Sequence, residues 1–236
     1  MVRLTPVNGP LSLAIVGDLP VGPALAAEID AIWAEASRLR PHLFDGPAVS
    51  LAGIEDGRLT LVRSSYRHLF ASRHDPAIAA RLKLRPLAVT GILSCPQGLV
   101  FGLRGAEVTE GSGTWELVPS GGVTVPDLEA QILEELEEEI GLVHSQVTVL
   151  PPAALMESKD GGAVDVVMPL VTALTAEEIA ALHRKKASRE YAELLTCPVQ
   201  DPRLEDLPLL PETHAIIAAL SGSTPGTWRF PTQNPA

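Results

Sequence analysis

The chain has 236 residues, of which 46% are hydrophobic and 20% charged, a balance that supports a packed core and argues against a disordered chain. Asp and Glu number 29 against 18 Lys and Arg, giving a net charge of −11. A surface this acidic repels phosphate backbones and anionic lipid, so the sequence assigns no nucleic-acid and no membrane partner; an anionic small molecule can still enter where a cation bridges it.

In chain order, the apolar run Leu11 to Val16 predicts a strand. Leu25, Ile29, Ile32, Trp33 and Ala36 recur at helical spacing and predict a helix over 23–40, stopped by Pro41. Ala48 to Ile54 and Arg58 to Ser64 read as strands of a hairpin turned by Glu55-Asp56-Gly57. Residues 65–84 read as helical, broken at His74-Asp75-Pro76. Arg85-Pro86 then opens a second section. Leu87 to Leu93 is an apolar strand, Pro96-Gln97-Gly98 a turn, and Leu99 to Arg104 the returning strand. A polar loop over 107–114 leads to a short strand, Trp115 to Val118, and then to Pro119-Ser120-Gly121-Gly122. A helix is expected from Leu128 to Ile140, ended by Gly141 in the left-handed stop. Val147 to Leu150 and Val164 to Thr172 read as strands. Thr175 and Glu178 form a capping box for a helix over 176–186, and Glu212 to Leu220 is a last short helix. The tail over 221–236, rich in Pro, Gly, Ser and Thr, reads as loosely ordered. The expected domain organisation is a smaller α/β section over 1–84 and a larger domain over 85–236.

Cys95 and Cys197 form no CxxC pair and no disulfide framework. Residues 1–20 hold one basic residue and are interrupted by Pro6, Pro10 and Asp18, unlike a signal peptide. Together these features place the expected location in the cytoplasm. The six histidines lack zinc-site spacing, and neither cysteine has the context of a nucleophile.

The informative stretch is the acidic helix. Leu128, Ile132, Leu136 and Ile140 define its buried stripe. At about 100° per residue, Glu135, Glu138 and Glu139 fall within roughly 100° of one another, beside that stripe and at the edge of the core. The arrangement costs stability. The last turns of a helix disfavour negative charge by about 0.3–1 kcal/mol per group. Glu134–Glu138 and Glu135–Glu139 repel at i,i+4, and the helix has no Lys or Arg to relieve them. A hard divalent cation with carboxylate ligands would supply the missing positive charge. A solvated, solubilising helix face is the plainer reading of a Glu run. Gly121 and Gly122, which let backbone approach a ligand closely, turn the argument toward a site.

The run Glu134-Glu135-Leu136-Glu137-Glu138-Glu139-Ile140-Gly141-Leu142 resembles the second half of the box of the Nudix hydrolases, Arg-Glu-U-x-Glu-Glu-x-Gly-U with U aliphatic, in every position but the first. Trp115-Glu116-Leu117-Val118-Pro119-Ser120-Gly121-Gly122 is similar to the Trp-x-Leu-Pro-Gly-Gly segment that leads into that box. The resemblance covers roughly 85–200. The box departs from the pattern where Glu134 replaces Arg, where Gly122 to Gly141 is two residues shorter, and where the early Glu has no counterpart. The resemblance implies a Nudix-type α/β/α sandwich on a mixed sheet. It also implies Mg²⁺, with Mn²⁺ as a substitute, on Glu135, Glu138 and Glu139 as metal-binding and catalytic residues. The implied reaction is hydrolysis of a nucleoside diphosphate linked to another moiety. Gly121, Gly122 and Arg104 would face substrate, with Arg104 on a phosphate. Glu157, Glu190 and Glu193 sit where the family often places a late acidic residue, and the general base is left unassigned among them. Leu43-Phe44-Asp45-Gly46-Pro47 and Ser64-Ser65-Tyr66-Arg67 are similar to a UDP-sugar-cleaving branch that includes UDP-glucose diphosphatases, which would put Tyr66 and Arg67 at the substrate. A non-catalytic module of the same fold, binding a nucleotide or a protein, is the competing expectation, and a homodimer is compatible with either.

Overall fold

The computed structural model describes residues 2–40, 43–108, 110–158 and 162–221. Pro41, expected to stop the first helix, and the tail over 222–236 lie outside the described residues.

Alternation in Val2–Pro6 makes the first strand (β1), followed by Ser12–Asp18 (β2). Pro23 opens α1, Pro23–Leu39, where its missing N–H costs nothing. Pro47–Glu55 (β3) and Arg58–Ser65 (β4) form the hairpin read from the sequence, and β2 joins β4 in parallel to complete a three-stranded sheet, β2-β4-β3. Tyr66–His74 (α2) and Pro76–Leu82 (α3) follow. Asp75 separates them and caps α3 by accepting from the Ala77 N–H at 2.7 Å.

The second section supplies β5 (Leu87–Cys95), β6 (Gly98–Arg104), β7 (Trp115–Leu117) and β8 (Ser120–Gly122), then α4 (Leu128–Glu139). Thr148–Val149 (β9), Ala154–Ser158 (β10), Val164–Val171 (β11), α5 (Ala176–Lys186), β12 (Tyr191–Cys197), α6 (Arg203–Asp206) and α7 (Pro211–Leu220) complete the described chain. The capping box of α5 forms as read: the Thr175 N–H donates to Glu178 Oε2 at 2.8 Å, and the Glu178 N–H to Thr175 Oγ1 at 3.3 Å. The large sheet runs β1-β10-β11-β5-β6-β12, with β7, β8 and β9 on its margins. Only β11 and β5 pair in parallel along this path, so the sheet is mixed.

Two apolar layers flank the sheet. On one side Val89 and Leu93 meet Leu128, Ile132, Leu136 and Ile140 of the α4 region and Ile179 of α5. On the other, Phe101, Leu117 and Val167 meet Leu204 of α6 and Ile216 and Leu220 of α7. The architecture is the α/β/α sandwich on a mixed sheet that the sequence implied. No described helix is long and apolar enough to cross a membrane.

The first section is tied to this sandwich by its core and by its backbone. Val49, Leu51, Leu59 and Leu61 of the small sheet belong to the same buried cluster as Leu87 and Leu136. The Leu51 N–H donates to the Arg85 carbonyl at 2.7 Å. Strand β1 pairs with β10, from Val2↔Ser158 to Pro6↔Ala154, so the start of the chain lies in the large sheet. Leu61→Ala should therefore destabilise the whole chain by about 2–5 kcal/mol, the usual cost of a buried Leu truncation. Denaturant unfolding followed by two probes checks this: one shifted transition is expected, and an early transition confined to the first section would contradict the shared core.

Candidate active site

The site forms where β8 meets the start of β5 and α4 crosses over it. Ala88, Val89 and Thr90 pair with Gly122, Gly121 and Ser120. Asp127 caps α4 by accepting from the Ala130 N–H at 3.0 Å. The apolar stripe then turns Glu135 and Glu139, one turn apart, toward β8. The Glu135 carboxylate lies against Gly121 so closely that a Cβ there would sit 2.0 Å from its carboxyl carbon, so any side chain at this position would push the carboxylate out of its place. Gly141, at φ 84°, closes the helix as expected.

Each carboxylate is fixed by one further contact. Glu139 is 5% exposed, and its Oε2 accepts from the Ser120 N–H at 3.1 Å. Gln131 Nε2 donates to Glu135 Oε1 at 2.9 Å, while Gln131 Oε1 accepts from the Thr124 N–H at 2.8 Å and its hydroxyl at 2.9 Å. Gln131 thus ties the loop to the carboxylate, a role the glutamate pattern of the sequence does not reveal.

Burial, and then its acidic neighbours Glu138, Glu134 and Glu190, push the Glu135 carboxyl up to about 7 against the donation from Gln131. Burial and the nearby Glu135 hold Glu139 well above the ordinary carboxylate range. Among the described residues no Lys, Arg or His forms an ion pair with Glu134, Glu135, Glu138 or Glu139. The repulsion expected from Glu134 in place of Arg is not relieved by a borrowed cation.

Glu135 and Glu139 line a cleft of about 650 Å³ together with Gly121, Gly122, Arg104 and Tyr66. Glu138 is exposed and is not among the residues lining it. Arg104 reaches the cleft but is already engaged: it pairs with Glu116, with Glu190 at 3.0 Å, and with the Glu110 carbonyl at 2.9 Å. Glu116, 7% exposed, also accepts from the Tyr191 hydroxyl at 3.0 Å. This buried group stands behind the cleft and fixes Arg104 and Glu190. Of the three late acidic residues, Glu190 lines the cleft, Glu157 pairs with Arg3 and Arg85, and Glu193 is exposed on β12.

The two segments that set the first section apart are bonded to each other. The Tyr66 N–H donates to the Gly46 carbonyl at 2.9 Å, and the Arg67 N–H to Asp45 Oδ1 at 2.8 Å. The Arg67 side chain pairs with Asp45 at 2.8 Å and Asp30 at 2.9 Å and is not among the cleft residues. Tyr66, in contrast, lines the cleft while its ring meets Trp33 edge-on at 6.1 Å. Asp165 is a lining residue that the sequence reading did not single out. It accepts from Thr90 Oγ1 at 3.1 Å, and burial raises its carboxyl to about 6. Its signal was available: it is the one charge in the apolar strand Val164–Val171.

The donor set suits a hard cation with few protein ligands. Mg²⁺ is commonly held by one or two carboxylates, with waters and substrate oxygens completing the shell. Glu135 and Glu139 can provide such a pair. No group of three His, Cys, Asp or Glu side chains converges on a common point among the described residues, so a closed, fully protein-lined cage is not the arrangement here.

No protein-family model and no curated protein matches the chain. Solved structures do. The chain is similar to the crystal structure of DR0079 from Deinococcus radiodurans at a TM-score of 0.50 and 14% identity, over 72% of this chain and 97% of that one. It is also similar to RenU, a Nudix hydrolase from M. smegmatis, at a TM-score of 0.44 and 21% identity, over 58% and 84% of the two chains. The NUDIX domain of Shewanella oneidensis NrtR, crystallised with ADP ribose, aligns at a TM-score of 0.42 and 17% identity, over 64% and 93%. At these identities the likeness is one of fold.

Two outcomes follow from the carboxylate pair. Glu135 carries an ordinary value of 4.5 when unfolded and about 7 when folded, so the folded chain holds its proton more tightly. Its contribution is intact below 4.5 and is lost as pH rises toward 7. The loss is at most about 3 kcal/mol, reduced by screening at the exposed edge of the group. Melting temperatures of the metal-free protein should therefore fall from pH 5 to pH 8, and Glu135→Gln should flatten that slope; an equal slope in the variant would contradict the assignment. Gly121→Ala should lower stability and displace Glu135, seen as a melting temperature below that of Gly122→Ala, whose Cβ would meet nothing within 4 Å.

Proposed function

We propose that the chain is a Nudix-type pyrophosphohydrolase that uses a divalent cation to hydrolyse a nucleoside diphosphate linked to a second group, with a UDP-sugar such as UDP-glucose as substrate. One observation carries the reading: Glu135 and Glu139, on the helix that resembles the family box, are held in a cleft against Gly121, and among the described residues no basic side chain pairs with them. A bound Mg²⁺ or Mn²⁺ would offset the charge of the diphosphate oxygens and lower the pKa of a coordinated water.

The protein's own residues have separable tasks. Glu135 and Glu139 hold the cation, Gln131 and the Ser120 N–H aim them, and Gly121 clears the space they occupy. Water attacks one phosphorus, the bridging P–O bond breaks, and the proton of the water passes to a carboxylate. Glu190, in the same cleft and anchored by Arg104, is the acceptor this reading assigns. Attack at either phosphorus of UDP-glucose releases UMP and glucose 1-phosphate. Tyr66, facing the cleft, offers a ring and a hydroxyl to the nucleoside. The bonding of Asp45 and Gly46 to Arg67 and Tyr66 supports the UDP-sugar branch, because it gives the two matching segments one structural purpose.

Glu138 supports a second reading. Its exposure, with Glu134 in place of Arg, fits a nucleotide-binding module without turnover. Incubation with UDP-glucose, ADP-ribose and nucleotide alcohols, with and without Mg²⁺ or Mn²⁺, separates the two. The enzyme reading expects metal-dependent release of a nucleoside monophosphate, with kcat/KM lowered by about 100-fold or more in Glu139→Gln. The same variant should melt no lower than the parent in the absence of metal, since the amide oxygen can still accept from the Ser120 N–H and no ion pair is lost. Nucleotide binding with no turnover across the panel would leave the module.

A further inference from the structure

The carboxylate cleft does not end at its acidic wall. Beside it lies a second lobe of about 710 Å³ bordered by α2 and α3 on one side and β10 and β11 on the other. The two lobes share Arg73, Glu110, Ala163 and Asp165. A diphosphate held at Glu135 and Glu139 leaves this space unfilled, and its size is that of a small-molecule site in its own right.

The chemistry of the second lobe differs from that of the first. Among the described residues its formal charges balance: Arg73, Lys83 and Arg85 stand with Glu110, Asp165 and Glu212. Two of the cations are already tied to carboxylates, Arg73 to Glu110 at 3.0 Å and Arg85 to Glu157 at 2.5 Å. The lobe thus offers directional hydrogen bonds without a strong net field. That suits a neutral, hydroxyl-rich group better than another phosphate. Asp165 stands at the junction with one donor, Thr90, on a carboxylate that can accept several more hydrogen bonds. No aromatic residue lines this lobe among the described residues, so a nucleobase has nothing to stack on; Tyr66 lines the other lobe.

We propose that this second lobe binds the sugar of a nucleotide sugar, with Asp165 accepting from its hydroxyls, and that the nucleoside is directed toward the Tyr66 side. The proposal rests on the nucleotide-sugar reading above and deepens it. It makes Asp165 and the α2–α3 pair determinants of specificity. It also gives the first section a role in substrate choice.

The test uses non-hydrolysable methylene-bridged analogues of UDP-glucose and UDP, titrated calorimetrically into the full chain with Mg²⁺. The parent should bind the sugar-bearing analogue more tightly. Asp165→Asn, which removes charge but keeps shape, should reduce that preference by about tenfold. Ala80→Trp, at an exposed position on α3 that lines the lobe, should reduce it similarly by occupying the space. Equal affinity of the parent for the two analogues, or variants that weaken both alike, would overturn the sugar lobe while leaving the nucleotide reading standing. Failure of both analogues to bind the parent would remove the nucleotide reading and the lobe assignment with it.

Discussion

The structure turns on an electrostatic debt at one helix end. Glu135 and Glu139 sit one turn apart beside β8, in the part of α4 where the helix dipole already disfavours negative charge. Packing forces the geometry: Leu128, Ile132 and Leu136 must face the sheet, and that rotation carries the two glutamates to the rim of the core. Water is largely excluded from Glu139, and no described basic side chain pairs with either group. A protein that kept such a pair only for packing would be more stable with an apolar or neutral residue there. On the function proposed above, a cation and an anionic substrate complete the arrangement.

The surroundings support the same interpretation. Basic groups near the cleft are spent on other partners: Arg104 on Glu116 and Glu190, Arg73 on Glu110, and Arg189 on Glu107. Gln131 and the Ser120 N–H donate to the carboxylates, which orients them without neutralising them. Behind them, Glu116, Arg104 and Tyr191 form a buried hydrogen-bonded group that fixes the wall of the cleft. The small sheet shares its core with the sandwich, while α2 and α3, which border the second lobe, pack with α1 in a separate apolar cluster.

The elements that the sequence made legible are those with strong local signals. The stripe of α4, its glycine stop and the capping box of α5 all depend on residues within a few positions of one another. The strands that were missed depend on distant partners. Val2–Pro6 alternates cleanly, but its partner β10 is about 150 residues away and only the pairing makes it a strand. Tyr191–Cys197 hides its alternation behind a register shift between Tyr191 and Glu193, which leaves Ala192 and Glu193 both exposed. The same division holds at the site. The proximity of Glu135 and Glu139 on one helix face was readable from local spacing, and Asp165 stood out as the one charge in its apolar strand. That Asp165 meets Thr90, and that both carboxylates and Gly121 line one cleft, comes only from the fold. Glu138 shows the opposite limit: spacing grouped it with its neighbours, and the structure leaves its side chain exposed.

The most direct measurement is anomalous scattering from crystals of the full chain soaked in Mn²⁺, collected at the manganese edge. The expected result is one peak about 2.1 Å from carboxylate oxygens of both Glu135 and Glu139, inside the cleft beside Gly121. A map with no peak between them, or with manganese only on the outer face formed by Glu134 and Glu137, would contradict the account.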